Sequence, residues 1–374
     1  MRIALLALGV WASGAAAQAP VTLTRVRTAV FTETYAFDDG LAFRRVNEIT
    51  VPVGADVRLG RFADLTISSG WARVLLRTSD AAQLPDQRVS GVLDTEFRLG
   101  INAIPGKLII LATGVVPTGI NAVDATELSL LGALASDIIG FAAPSVGSGG
   151  SVGGGFAGAL PLGRFAAGVG ATYRYPLTYT PVVGDTVSLR PGPEFRVRVG
   201  VEGPVSRTTY LRVAAVFATR GRDELAGQPQ HGVGNRVVGY LAVNRQVGRV
   251  AATLYGFDVY RAAPQLEATA AGAALLPKGN LLAVGGRFAI GVRTETEVTP
   301  RFEYRLSAAE ADPSVTALRR LGDSFRFGLD VRNQFTAQLA AILQLGRVTG
   351  AVVQGGADIG FSGTRAALHL EFTP

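Results

Sequence analysis

The sequence contains no cysteine, a single methionine, two histidines (His231 and His369) and two lysines (Lys107 and Lys278). The missing cysteine excludes disulfides, thiolate metal sites and a lipid-modified N-terminal cysteine, and two histidines leave little for imidazole-based metal or catalytic chemistry. Charged residues make up 17% of the chain, against about 25% in an ordinary soluble domain. Mean hydropathy is nevertheless +0.29, and after the first 17 residues no apolar run is long enough to cross a bilayer as a helix. A helical membrane protein is therefore excluded, as is most familiar enzyme chemistry.

What the sequence does contain begins with an address. Met1 to Ala17 has one positive charge (Arg2), an apolar core from Ile3 to Trp11 and the small-residue ending Ala15-Ala16-Ala17, the layout of a secretory signal peptide. Residues 1–17 are thus expected to be removed, leaving 18–374 as a single domain with Gln18 at its N-terminus.

The mature chain alternates apolar and polar residues over lengths suited to membrane strands of about 9 to 11 residues. Ile49, Val51, Val53, Ala55, Val57 and Leu59 share one face, and Glu48, Thr50, Gly54, Asp56 and Arg58 the other. Leu93, Phe97, Leu99 and Ile101 oppose Asp94, Glu96, Arg98 and Asn102; Phe195, Val197, Val199 and Val201 oppose Glu194, Arg196, Arg198 and Glu202. Phe302, Tyr304 and Leu306 oppose Arg301, Glu303 and Arg305, and Phe325, Phe327, Leu329 and Val331 oppose Ser324, Arg326, Asp330 and Arg332.

A soluble β-sandwich has the same period with its faces exchanged. The number and length of strands, the 47 glycines, the export signal and the connections favour a barrel closed in lipid. Short turns are expected near Gly60-Arg61, Ile104–Lys107, Pro161–Arg164, Glu202–Arg207, Arg245–Arg249 and Thr296–Arg301. Long loops are expected near 79–90, 118–149, 180–192, 220–234, 262–278 and 308–322. Short periplasmic turns, long external loops and both termini on the periplasmic side require an even strand number. The expected fold is all-β: a transmembrane antiparallel β-barrel of about 16 strands, with 14 or 12 as alternatives, the Gly-rich tail 344–364 being where the number turns. Trp71, Tyr173, Tyr175, Tyr210, Tyr240, Tyr255, Tyr260 and Tyr304 fall in these strands, several where a headgroup-level girdle needs an amphipathic ring.

The final strand sets Leu368, Leu370 and Phe372 against His369 and Glu371, followed by Thr373-Pro374. It resembles the C-terminal signal that outer-membrane barrels offer to their assembly machinery. Together with Val115-Val116-Pro117-Thr118-Gly119 leading into a long loop, it makes the chain resemble outer-membrane barrel transporters, loosely those of the meta-pathway phenol-degradation and long-chain fatty-acid porin type. The resemblance implies a bacterial outer-membrane location, with membrane lipids, the barrel assembly machinery and a small-molecule solute as partners. It assigns no residue a role.

With the polar faces inward, the pore-lining residues are expected to include Arg58, Glu96, Arg98, Arg196, Arg198, Arg287, Arg293, Arg305, Arg326, Asp330 and Arg332, together with Arg301, Glu48, Asp56, Asp94, Glu194, Glu202 and Glu303. Opposite signs interleave, so these charges either pair across strands and stiffen the wall or set a field that sorts solutes. The net charge of +7 is spread at period 2 rather than gathered on one element, which argues against nucleic acid as a partner.

Residues 121–149 break the alternation. Asp124 with Glu127 makes a capping box, and Leu128, Leu131, Leu134 and Ile138 recur at helical spacing. This loop is expected to fold into the lumen as a constriction or to rest on the rim. An apolar constriction in a charged barrel suits amphiphilic or aromatic compounds.

Gly149 to Gly153 fits G-x-S-x-G, and Gly153 to Gly158 fits G-x-G-x-x-G. Without a strand-to-helix elbow or a parallel βαβ unit, both are chance matches in a glycine-rich run. No enzyme, cofactor or metal site is expected. The functional expectation is passive passage of small solutes through a charged lumen, the alternative being a non-conducting barrel that anchors envelope partners.

Overall fold

The computed structural model describes residues 21–80, 85–134, 136, 138–143, 145–265, 278–310 and 318–374. The expected signal segment 1–17, most of the loop expected at 262–278 and the middle of that at 308–322 lie outside the described residues. Sixteen antiparallel strands close into a barrel. They are β1 (Val21–Phe37), β2 (Phe43–Leu59), β3 (Ala63–Thr78), β4 (Gln87–Val92 and Thr95–Ile104), β5 (Leu108–Val116), β6 (Ser151–Leu162), β7 (Phe165–Pro176), β8 (Glu194–Pro204), β9 (Thr209–Arg220), β10 (Arg236–Val247), β11 (Val250–Arg261), β12 (Gly279–Gly291), β13 (Thr296–Glu310), β14 (Leu318–Gln334), β15 (Leu339–Gln354) and β16 (Ala357–Phe372). Each strand pairs with its neighbour in sequence, and β16 returns to β1 from Val26↔Phe372 to Phe37↔Phe361. No edge remains for another chain to extend. The helix of the described residues, α1 (Leu128–Leu134), lies in the β5–β6 loop.

Both described ends of the chain lie at the short-turn end. Gly60, Gly106, Gly163 and Gly248 take positive φ in four of these turns, which glycine does without steric cost. One turn sits elsewhere than the sequence suggests: residues 296–301 belong to β13, and the chain reverses at 292–295, where Val292 N–H donates to the Thr296 carbonyl (3.0 Å). Pro300, the residue that suggests a turn, is tolerated in a strand because the β12–β13 register skips from Arg287↔Arg301 to Ile290↔Val298. The ladder is open where proline has no N–H to donate.

Direct cross-strand partners share a face, so one inward residue fixes its row. Asp56, Thr66, Arg98, Thr113, Gly153, Arg174, Glu194 and Arg220 are successive partners across eight strands and line the interior. Ile49 and Val53 are 40% and 49% exposed on the outside while Thr50 between them is 3% exposed, as the period-2 pattern predicts. The aromatics divide by the same registers. Trp71, Tyr173, Tyr175, Tyr260 and Tyr304 point outward and are exposed, whereas Tyr210, Tyr240 and Tyr255 point inward in the registers of β9, β10 and β11. Leu93 departs from expectation: the interruption of β4 at Leu93-Asp94 turns its side chain inward, onto the buried cluster under the loop. A bulge re-aims a side chain in this way.

Candidate functional site: a lumen narrowed by the β5–β6 loop

The chain between Val116 and Ser151 folds into the barrel. Its first turn forms as the sequence predicts: Glu127 accepts the Asp124 N–H on its side chain (3.1 Å), and a 3₁₀ turn, Ala125–Glu127, opens α1. The buried stripe differs from the expected one. Leu130 and Leu134 are fully buried, Leu131 is half-buried and Leu128 is exposed. The tight 3₁₀ turn rotates the phase of the seven-residue helix, so positions 130 and 134 meet the wall. Ile138 is buried beyond the helix end.

These loop residues pack with Ile139, Phe141 and Val146 against Tyr35 and Phe37 of β1, Val46 of β2, Val74 and Leu76 of β3, Val89 of β4, Val348 of β15 and Phe361 of β16. One half of the lumen is therefore filled as a conventional apolar core. Hydrogen bonds fix the loop to that half. Gln87 Oε1 accepts Leu130 N–H (3.1 Å), Glu48 Oε1 accepts Ala143 N–H (2.8 Å), and Asp94 accepts Gly119 N–H (3.0 Å), Ser148 N–H (2.7 Å) and the Ser148 hydroxyl (2.9 Å). From β14, Ser324 Oγ (3.0 Å) and the Arg326 guanidinium (3.1 Å) donate to the Ile138 carbonyl, and Arg326 also donates to the Ile139 carbonyl. Polar wall residues here satisfy loop backbone groups that would otherwise be buried without partners.

The opposite wall is built from small residues. Gly153, Gly155, Ala157 and Ala159 of β6, Ala166, Gly168 and Gly170 of β7 and Gly200 of β8 face inward. The open space lies between this wall and the loop. A cavity of about 580 Å³ beneath the loop is lined by Phe31, Thr50, Asp94, Glu96, Ser148, Arg174 and Arg365 among others. Arg174 of β7 and Arg365 of β16 stand on strands well apart in the sheet, so this cavity reaches across the lumen.

The inward charges are largely paired. Arg305 Nε reaches Glu303 at 2.7 Å and Arg326 reaches the same carboxylate at 3.8 Å; Arg301 meets Asp330 at 3.1 Å, Arg212 meets Glu202 at 2.6 Å, and Arg25 and Arg27 flank Asp56 at 3.4 Å. Arg365 pairs with Glu33, whose side chain is fully buried and also accepts the Tyr35 hydroxyl at 3.3 Å. Cross-strand pairing therefore accounts for much of the interleaved charge. Glu96, Arg98, Arg198 and Arg287 face inward with no ion pair among the described residues.

Of the residues expected in the pore, Arg58, Glu96, Arg98, Arg196, Arg198, Arg287, Arg305, Arg326, Asp330 and Arg332 sit on the inward face of their strands. Arg58 and Arg332 lie near the short-turn end, with Arg58 3.4 Å from Asp64. Arg293 is not on the wall; it lies in the 292–295 turn at the mouth, for the reason given above. Asp124, Glu127, Leu128, Leu131, Leu134 and Ile138 are brought together in the loop. Sequence reading missed Tyr35, Phe37, Glu33 and Arg365, because the outer face of β1 mixes valine with threonine and its inner face mixes charge with aromatic rings, which blurs the contrast. The strand carries Thr28, Thr32 and Thr34 outward and aromatic rings inward.

The G-x-S-x-G stretch forms no elbow. Gly149 and Gly150 take positive φ in the return of the loop, and Ser151 opens β6, where its Oγ accepts Arg174 Nε (2.8 Å). His231 lies in the β9–β10 loop, and His369 of β16 packs edge-on against Phe31 of β1. Among the described residues no three His, Asp or Glu side chains gather into a metal site.

No known family model matches the chain, and no curated protein sequence matches it. Among solved structures it is similar to OpdQ of Pseudomonas aeruginosa (10% identity, 94% of this chain and 97% of that one, TM-score 0.46). It is also similar to a bacterial polysaccharide outer membrane secretin (9%, 96% and 100%, TM-score 0.49) and to the COG4313 outer membrane channel of Pseudomonas putida F1 (12%, 97% and 100%, TM-score 0.39). The barrel assignment stands on the strand registers of this chain.

Proposed function

We propose that the protein is an outer-membrane channel for small solutes. The lumen is narrowed from one side by the β5–β6 loop and left open along the Gly/Ala wall of β6–β8. The exterior supports the membrane part of this reading: an apolar face with exposed Trp71, Tyr173, Tyr175, Tyr260 and Tyr304 toward the long-loop end suits lipid ending at a headgroup boundary. The long loops are then external, surrounding lipid is a partner, and β16 is the strand read by the assembly machinery. The observation that carries the channel reading is the one-sided anchoring of the loop. A plug that closed the pore would touch the whole wall, whereas this loop bonds to the wall at β2, β4 and β14 and packs on β1–β4, β15 and β16; its ties to the other side, Val123 with Pro181 and Val183 and Gly149 with Tyr179, run to the β7–β8 loop rather than to the wall.

The passage has Ala142, Val146 and Ser148 of the loop on one side and, on other strands, Arg98 and Arg198 with no ion pair among the described residues. That mixture suits amphiphilic or aromatic solutes better than a bare salt ion. The work is passive conduction, with no catalytic step. The test is planar-bilayer conductance of the folded mature chain with and without residues 124–139. Discrete openings that enlarge on deletion are expected. Silence from folded protein overturns the channel in favour of a scaffold barrel, and unchanged conductance removes the loop from the constriction.

A further inference from the structure

The outward face of β2, β3 and β4 above Trp71 carries a cluster of cations with no acid beside it. Trp71 points outward, flanked in register by Val51 and Val92. Continuing toward the long-loop end on that face come Arg73 beside Ser90, Leu75 between Asn47 and Arg88, and Arg77 directly opposite Arg45. All four arginines are exposed. The residues alternating with them, Ala72, Val74, Leu76, Val46, Val89 and Gln87, are buried against the loop, which fixes the arginines on the outside.

Two like charges placed directly opposite on one face of a sheet destabilise it, and Arg88 stands diagonal to the same pair. None of Arg45, Arg73, Arg77 and Arg88 makes an ion pair among the described residues. Of the acids at this end, Asp80 lies 3.4 Å from Arg44, Asp86 accepts the Thr78 N–H (3.1 Å), and Asp38, just past β1, turns its carboxylate toward Gly360 of β16. Elsewhere on the same outer rim the barrel does supply counter-charge, since Arg320 is held by Asp323 and by Asp358 (2.9 Å). The outward neighbours on β2–β4 and β1 are instead Asn47, Ser90, Thr32 and Thr34, neutral side chains that carry donors.

We propose that this face is a docking site for a phosphate-bearing lipid headgroup of the external leaflet. Arg45, Arg77 and Arg88 would grip the phosphate, with Arg73 at the boundary marked by Trp71. A phosphomonoester offers the doubly charged, multiply accepting group that neutralises facing guanidinium forks, and arginine binds it bidentately. The site rests on the outer-membrane reading and is independent of whether the lumen conducts.

The test uses the full-length barrel folded in detergent with either bisphosphorylated lipid A or its acyl-matched, fully dephosphorylated form, and counts retained lipid by native mass spectrometry. The wild type is expected to retain the phosphorylated lipid about tenfold more than the dephosphorylated one, with inorganic phosphate failing to displace it. The variant R45Q/R77Q/R88Q is expected to lose that preference while keeping wild-type single-channel conductance. The glutamine changes relieve repulsion on an exposed surface, and R77Q alone serves as a second variant. Equal retention of both lipids by the wild type, or an unchanged preference in folded R45Q/R77Q/R88Q, overturns the site. Displacement by inorganic phosphate alone assigns the site to a free anion and overturns the lipid. A wild-type barrel that shows the lipid preference but does not conduct would strike the channel reading and leave this one standing.

Discussion

Arg198 and Val199 are neighbours on β8 and look opposite ways, the first into the lumen and the second, 48% exposed, toward lipid. Val199→Arg is therefore expected to destabilise the folded barrel by about 2 to 4 kcal/mol near the bilayer midplane, and Arg198→Val to be tolerated. Urea titration of both variants in lipid vesicles checks this, and equal effects would reverse the inside-out assignment. Residues such as these were legible in the sequence because lipid and water sit on their two sides, which makes the period-2 contrast strong. Where the loop covers the wall the contrast reverses. On β3, Ala72, Val74 and Leu76 face a packed interior while Arg73 and Arg77 face out, so the pattern there reads with its faces exchanged. Leu93 was misplaced for a local reason: one bulge shifts the alternation by a residue, and nothing in Val92-Leu93-Asp94 announces it.

The β5–β6 loop is the element on which the proposed passage turns, and its start was legible through Asp124 and Glu127 while its docking was not. The contacts that hold it come from Gln87, Glu48, Asp94, Ser324 and Arg326, residues scattered over the chain and chosen by barrel closure rather than by local spacing. Tyr179 of the β7–β8 loop packs its ring against Gly149 at the return of this segment, where a side chain at 149 would collide with it. Burial, with the Asp223 carboxylate adding to it, holds the Tyr179 phenol above its ordinary value of 10.0. A phenol whose pKa is raised in the folded state supports the fold fully below its ordinary value and loses that support as pH climbs through the raised one. Conductance is thus expected to be flat from neutral pH to about 10 and to rise above it as ionised Tyr179 leaves its packing. Tyr179→Phe should remove the rise; a rise that persists in that variant assigns it to another group.

Over the whole molecule, strand number and alternation of short and long connections were legible because each follows from the requirement to satisfy backbone groups in lipid. The closing seam was not, since it joins residues at the two ends of the chain. Glu33 and Arg365 are direct partners across it, and Glu33 is buried. Arg365→Ala leaves that carboxylate without its counter-charge and is expected to cost about 3 to 5 kcal/mol, read as a lower melting temperature on heat-modifiable gels. Glu33→Gln added to Arg365→Ala should recover much of the loss. No recovery would show that Arg365 acts through packing alone.

Ile138 in the loop meets Ser324 at a separation of 186 residues, and the rest of the loop's seat joins Val348 and Phe361 of β15 and β16 to β1–β4 across the seam. That seat exists only after the last strand has found the first. A growing chain that carries the loop has nowhere complete to lodge it until synthesis and pairing are nearly finished, so the narrowing of the passage arrives with the sealing of the cylinder or after it, never before.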